Sequence, residues 1–178
     1  MFADTATAAI VFAALYAGHH VGDYLIQSDH QALNKGRCDH EGRKACTAHV
    51  LTLTIAQGAV LALVLGATGT AIDPAALLTG LGINAVSHFW ADRRSTLRGL
   101  VLATERWTHK IGFYDGGGAA HMDQAWHMLW LVPAAVAIAA PLPLAGLLTA
   151  FSAALLVAAD IASRRARATE AASQGAGA

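Results

Sequence analysis

The sequence carries little charge. Only 13% of its 178 residues are Asp, Glu, Lys or Arg, against about 25% in a soluble domain. That shortage of solvating groups excludes an ordinary soluble enzyme, a coiled coil and a disordered chain. No sign of charge is in excess either. Twelve basic residues balance 12 acidic ones, which leaves no electrostatic footprint for nucleic acid. The two cysteines, Cys38 and Cys46, are too few for a disulfide framework. No Gly-x-Ser-x-Gly nucleophile motif occurs. No Lys or Arg precedes Lys35, so a cleaved signal peptide, which opens on basic residues, is not expected.

What is abundant is apolar surface: 55% of residues are hydrophobic, and mean hydropathy is +0.44. The length suits one domain. Runs long enough to cross about 30 Å of hydrocarbon fall at Thr5–Ile26, Ala45–Gly66, Pro74–Ala91, Gln124–Ala140 and Leu142–Ile161. Pro141 and Pro143 separate the last two, because proline inside a helix removes a backbone bond and clashes one turn back. The expected fold is an all-α polytopic membrane bundle of about five transmembrane helices over residues 1–162. Residues 163–178, rich in Ala, Ser and Gly beyond Arg167, are expected to form a disordered cytoplasmic tail.

The basic residues divide cleanly among the loops. Four lie between the first two runs (Lys35, Arg37, Arg43, Lys44) and five between the third and fourth (Arg93, Arg94, Arg98, Arg106, Lys110). Three follow the fifth (Arg164, Arg165, Arg167), and the other loops have none. All 12 therefore share one side of a five-span chain. The positive-inside rule makes that side the cytoplasm, with the N-terminus outside. The expected location is the bacterial inner membrane.

Leu97, Leu100, Val101, Thr104 and Trp107 recur at helical spacing, as an amphipathic helix at the interface or as a cap packed on the bundle. Gly116, Gly117 and Gly118 then break the chain before the fourth run. Tyr24, Trp90, Trp107, Trp126 and Trp130 read as interfacial belt aromatics. Asp160 and Arg164 stand four apart, as an ordinary helix pair.

Within the runs, a few polar residues stand out. His19 and Asp23 are four apart and share a helix face, with Gln27 one turn on. The same spacing returns in His88 and Asp92, and again in Asp123 and His127, while His49 lies near the start of the second run. Ionisable groups in a span are costly, about 2.5–3.5 kcal/mol each on insertion scales, and mark function. Runs one and three end at the basic side, whereas two and four begin there. All seven residues thus belong at one depth.

Imidazole and carboxylate donors suit a divalent transition metal such as zinc, manganese or iron. Seven candidates exceed one tetrahedral site, which points to one or two ions with some residues in supporting roles. His19, His88 and His127 are the favoured ligands, with Asp23, Asp92 or Asp123 as ligand or general base, Gln27 and Gln124 orienting substrate or water, and Arg93 holding a phosphate. Lys35 reads as a solvated loop charge rather than a substrate contact. A Cys38/His40/Cys46/His49 zinc site has poor spacing. His19 to His88 and Asp23 to Asp92 share one offset of 69 residues, which suggests two hairpins in parallel orientation.

His19-x-x-x-Asp23-Tyr24-x-x-Gln27, Lys35, His49, His88-x-x-x-Asp92-Arg93 and Asp123-Gln124-x-x-His127, in that order, resemble the bacterial domain-of-unknown-function 3307 membrane family. The likeness covers about residues 14–130 and implies a membrane bundle with a polar pocket. A looser likeness is to inner-membrane metal-dependent hydrolases. The chain departs from the pattern at Cys46, near His49, where relatives often carry a further histidine. The residues favour hydrolysis of a membrane-associated, lipid-derived substrate, with membrane lipid as the partner and oligomeric state left open. A metal-ion or proton transporter and a structural membrane protein are the alternatives.

Overall fold

The computed structural model describes residues 2–176. Among them every regular element is helical. Helix α1 (Thr5–Val21) widens into a single π turn (Gly22–Ile26), followed by the short α2 (Asp29–Asn34) and the long α3 (His40–Thr68). Next come α4 (Pro74–Asp92) and three short pieces, α5 (Ser95–Ala103), α6 (Glu105–Thr108) and α7 (Ile111–Phe113). A second π turn (Tyr114–Gly118) leads into α8 (Ala119–Ile138), and α9 (Leu142–Gly175) closes the chain.

Local chemistry starts and stops these helices. The carboxylates of Asp4, Asp39 and Asp73 accept from the backbone N–H groups of Thr7, Gly42 and Ala75 at 2.7, 2.8 and 2.7 Å. Each satisfies a donor that a helix N-terminus leaves unpaired. Pro74 occupies the first turn of α4, where its missing N–H costs nothing. Ser28 and Gln31 form a reciprocal capping box that turns α2 back toward the bundle. Helix α3 ends at Gly69, whose φ of 66° suits a residue without a Cβ.

Three helices are long and apolar enough to cross a membrane: Thr5–Ile26, His40–Thr68 and Leu142–Gly175. Helix α4 packs on α8, and α1 packs on both α3 and α8. The main core joins Val11, Leu15, Leu61, Ile83, Trp130, Leu131 and Ile138. Helices α1 and α3 meet at two glycines one turn apart. A Cβ on Gly18 would stand 2.6 Å from Gln57 Cα, and one on Gly22 would stand 2.9 Å from Leu53 Cγ. Small residues four apart permit this approach, as in membrane helix pairs generally.

The chain beyond residue 162 departs from expectation. Helix α9 runs on to Gly175 instead of giving way to a disordered tail, while residues 177 and 178 lie outside the described residues. Contacts explain the extension. Ser163 donates its hydroxyl proton to the Thr96 carbonyl at 2.7 Å, and Arg98 reaches Glu170 at 2.8 Å. Arg98 also grips Asp115 with two bonds of 2.9 Å, and that pairing holds the Asp115 carboxyl below the usual carboxylate range. Alanines at 162, 166, 168, 171 and 172 add helix propensity.

The segment after Arg94 also resolves into a definite form. Leu97 and Val101 are buried with Trp90 and Tyr114, so α5 is a cap packed on the bundle, chiefly against α9. Trp107 falls on α6 and stays exposed. Trp90 and Trp130 are buried rather than belted, because Trp90 donates to Asp160 at 3.1 Å and Trp130 joins the main core. Tyr24 is exposed as a belt aromatic would be, and Arg164 pairs with Asp160 at 2.6 Å.

Gly18→Ala should destabilise the protein by about 1–3 kcal/mol, the usual cost of forcing extra atoms into a packed contact. Gly58→Ala, where an added Cβ meets nothing within 4 Å, should be neutral or stabilising. Thermal unfolding midpoints of the two variants in the same detergent check this pair.

Candidate metal centre

Four helices bring their polar residues to the end of the bundle from which the basic loops emerge. Helix α1 supplies His19, and its π turn supplies Asp23; α3 supplies His49. Helix α4 supplies His88 and Asp92, while α8 supplies Asp123, Gln124 and His127. The π turn matters here. It adds a residue to the turn that carries Asp23, a device that recurs at functional sites.

The carboxylates sit among the ring nitrogens. Asp23 lies 3.2 Å from His19 Nε2, 3.2 Å from His49 Nε2 and 3.8 Å from His88 Nε2. Asp92 lies 3.4 Å from His49, 3.2 Å from His88 and 3.7 Å from His127. His49 and His88 bring their Nε2 atoms within 3.1 Å of each other, and the His88 and His127 rings stack at 3.8 Å. Two ring nitrogens that close cannot both carry protons.

Two sets of three follow from this geometry: Asp23, His49 and His88, and then His88, Asp92 and His127. Within each set the ligand atoms lie inside 4.8 Å of one another. His88 belongs to both. His19 and Asp123 stand at the edges, His19 against Asp23 and Asp123 at 3.4 Å from His127. Gln124 ties the edge to the centre. It donates to Asp23 at 2.8 Å and accepts from His19 at 3.3 Å.

All four imidazoles and Asp92 are essentially sealed from solvent, at 0–1% exposure. Burying polar groups costs free energy unless each finds a partner. Among the described residues, Nδ1 of all four histidines lacks a hydrogen-bond partner, and Asp23 Oδ1 and both Asp92 oxygens meet only ring nitrogens and Lys35. Lone pairs outnumber donors in this cluster. A bound cation supplies what such a set lacks, and imidazole with carboxylate fits zinc, manganese or iron.

Lys35 contradicts its reading as a solvated charge. It is only 8% exposed, and its Nζ lies 2.7 Å from Asp92 Oδ1 as an ion pair. Arg93 explains the placement. Its guanidinium donates to the backbone carbonyl of Lys35 at 2.8 Å and to that of Arg37, which folds the loop onto the bundle. Arg93 is thus spent on loop carbonyls, and the basic residues on the neighbouring cleft are Lys35 and Arg94.

That cleft, of about 470 Å³, is lined by Asp23, Gln27, Lys35, Asp92, Asp123 and Gln124, with Arg94 and Tyr114 on its wall. Asp23 and Asp92 bring the carboxylates of the buried cluster to its lining. Cys38 is exposed, and Cys46 is buried with its thiol toward the Phe89 carbonyl at 3.7 Å, so neither joins the histidines. Asp160 stays with Trp90 and Arg164, away from the cluster.

One polar pair was not anticipated. Gln57 and Asn84, both buried, bond at 2.7 Å deeper in the bundle, and Gln57 also donates to the Leu15 carbonyl at 3.1 Å. Two amides inside apolar runs are a legible signal of such a pair. Lys35 carries no comparable signal, since only the fold shows that its loop turns inward.

Because His88 serves both sets, His88→Ala should remove more bound metal than His49→Ala or His127→Ala, while a Cys38→Ser/Cys46→Ala double variant keeps the wild-type content. Elemental analysis of detergent-purified protein checks the ranking. No family model, curated protein or solved structure matches the chain.

Proposed function

We propose that this chain is a five-span membrane protein whose His/Asp cluster binds one or two divalent transition-metal ions and hydrolyses a membrane-associated substrate. The observation that carries the reading is the buried surplus of lone pairs on His49, His88, His127, Asp23 and Asp92, beside a polar cleft. Helices α4 and α8 are the two further spans in this reading. The partition of all 12 basic residues supports a cytoplasmic cluster in a bacterial inner membrane. The 69-residue offset fits two parallel hairpins, α1 with α3 and α4 with α8, each contributing a His-x-x-x-Asp helix and a single-histidine partner. Membership in the domain-of-unknown-function 3307 family belongs to the same proposal.

A metal in this cluster supplies Lewis acidity, which polarises a carbonyl or phosphoryl oxygen and lowers the pKa of water. The protein's residues do the rest. Asp23, His49, His88, Asp92 and His127 are the residues that would hold the metal. Lys35 fixes the Asp92 carboxylate from the loop, and Gln124 fixes Asp23 and His19. Asp123 has a side chain 25% exposed, lines the cleft and backs onto His127. It is the carboxylate that a water in the cleft can reach, and it serves as general base.

A transport reading draws on Gln57 and Asn84, which extend the polar run inward from the histidines. Beyond them the core closes over Val11, Leu61, Leu131 and Ile138, which favours chemistry at one face over passage through the bundle.

Reporter fusions after Arg43 and Arg106 should register on the cytoplasmic side, and one near Thr70 on the outside. An external signal at Arg106 would dismantle the shared site. On a panel of chromogenic carboxylic and phosphoric esters, metal-dependent turnover should fall about 10²–10⁴-fold in Asp123→Asn, as for loss of a general base, with metal content retained. Metal flux in proteoliposomes with no ester turnover would replace hydrolysis by transport.

A further inference from the structure

We propose that the cleft above the His/Asp cluster is a metal-dependent site for a phosphate group, with Arg94 as its principal anion-binding side chain. This rests on the metal reading given above and names the substrate class of the same site.

Arg94 is built into place. Its backbone takes φ 54° and ψ −54°, a conformation that residues with a Cβ rarely adopt. Tyr114 donates its hydroxyl proton to the Arg94 carbonyl at 3.3 Å, and Arg94 Nη2 donates to the Ala32 carbonyl at 3.0 Å. The side chain passes over Gly36, where a Cβ would lie 2.7 Å from Arg94 Cδ. Backbone, carbonyl anchors and a glycine passage together bring this guanidinium to the cleft wall.

Unspent donors gather beside it. The only partner found for the Arg94 guanidinium among the described residues is that Ala32 carbonyl. Lys35, also on the lining, uses Nζ on Asp92 and keeps further N–H bonds. Gln27 Nε2 is buried on the same lining with no partner among the described residues. An arginine fork, an ammonium and an amide on one lining outnumber the two oxygens of a carboxylate. They match the three terminal oxygens of a phosphate monoester.

Charge makes the site conditional. Asp23, Asp92 and Asp123 face Lys35 and Arg94 on the lining, which leaves one net negative charge. A single divalent ion reverses that sign. An anion therefore enters only the metal-loaded protein. The phosphate can belong to a lipid headgroup or to a soluble ester. Exposed Tyr24 on the lining gives an amphiphile something to lie on.

The test is calorimetric titration of metal-loaded protein in uncharged detergent with inorganic phosphate, dihexanoyl phosphatidic acid and dihexanoylglycerol. Phosphate and phosphatidic acid should bind saturably, and dihexanoylglycerol should not. Chelation of the metal should abolish binding. Arg94→Gly suits the positive φ and so keeps the fold; it should weaken both anions about tenfold or more, roughly 1.4 kcal/mol per decade, with metal content unchanged and a cooperative unfolding transition retained. Arg94→Lys should fall between. Phosphatidic acid binding about tenfold tighter than phosphate identifies a lipid source, and equal affinities identify a soluble one. Metal-loaded protein that binds neither anion, or Arg94→Gly with wild-type affinity, overturns the phosphate site alone. Folded protein that takes up no metal overturns the metal reading and this site with it.

Discussion

The cost of removing Asp92 and four imidazoles from water governs how the rest of this bundle is arranged. A carboxylate sealed in an apolar interior is tolerable only among donors or cations. Asp92 meets that demand by standing against His49, His88, His127 and Lys35 at once. Three helices and a loop are thereby committed to one point. The glycines at 18 and 22 let α1 and α3 close to the separation that His49 needs to reach Asp23. Arg93 and the Ser28–Gln31 box then bend the first basic loop inward until Lys35 can arrive.

Much of this is written in the sequence. Apolar run lengths give the long helices, and His-x-x-x-Asp spacing on a 3.6-residue helix gives two faces that must look at a common centre. His49 and His127 follow because runs that alternate in direction return to the same depth. What could not be read is which basic residue turns inward. Lys35, Arg93 and Arg94 are alike as letters in loops, and only tertiary closure assigns one to Asp92, one to loop carbonyls and one to the cleft. The helical tail was hidden for a related reason. An alanine-rich segment with low hydropathy reads as solvent-exposed chain until Arg98 and Thr96, more than 60 residues away, offer it partners.

Arg98 links two parts of the molecule that the membrane spans alone would leave independent. Its guanidinium joins Asp115, next to Gly116–Gly118, with Glu170 on the far end of α9. Gly117 adopts φ 110° within the π turn that lines the cleft, and Tyr114 in the same turn holds the Arg94 carbonyl. The tail of α9 thus braces the segment that shapes the cleft wall. An exposed network of this kind contributes little stability by itself. Its effect is to hold a glycine-rich turn in one of the many conformations open to it.

The two polar layers of the bundle differ in kind, and the difference argues for where chemistry can occur. Gln57 and Asn84 are neutral amides that satisfy each other and a backbone carbonyl, so their layer is complete without any ligand. A paired amide layer holds helices in register at little cost. One turn nearer the basic loops, the His/Asp layer is the opposite: ionisable, crowded with acceptors and short of donors. That layer gathers most of the buried polar atoms without a hydrogen bond among the described residues, and a cleft lies beside it. Beyond Asn84 the core is apolar, whereas the cleft has Asp23, Asp92 and Asp123 on its lining. A buried His/Asp layer that could hold a metal ion, with a cleft on one side and an apolar core behind it, is what sets this end of the bundle apart.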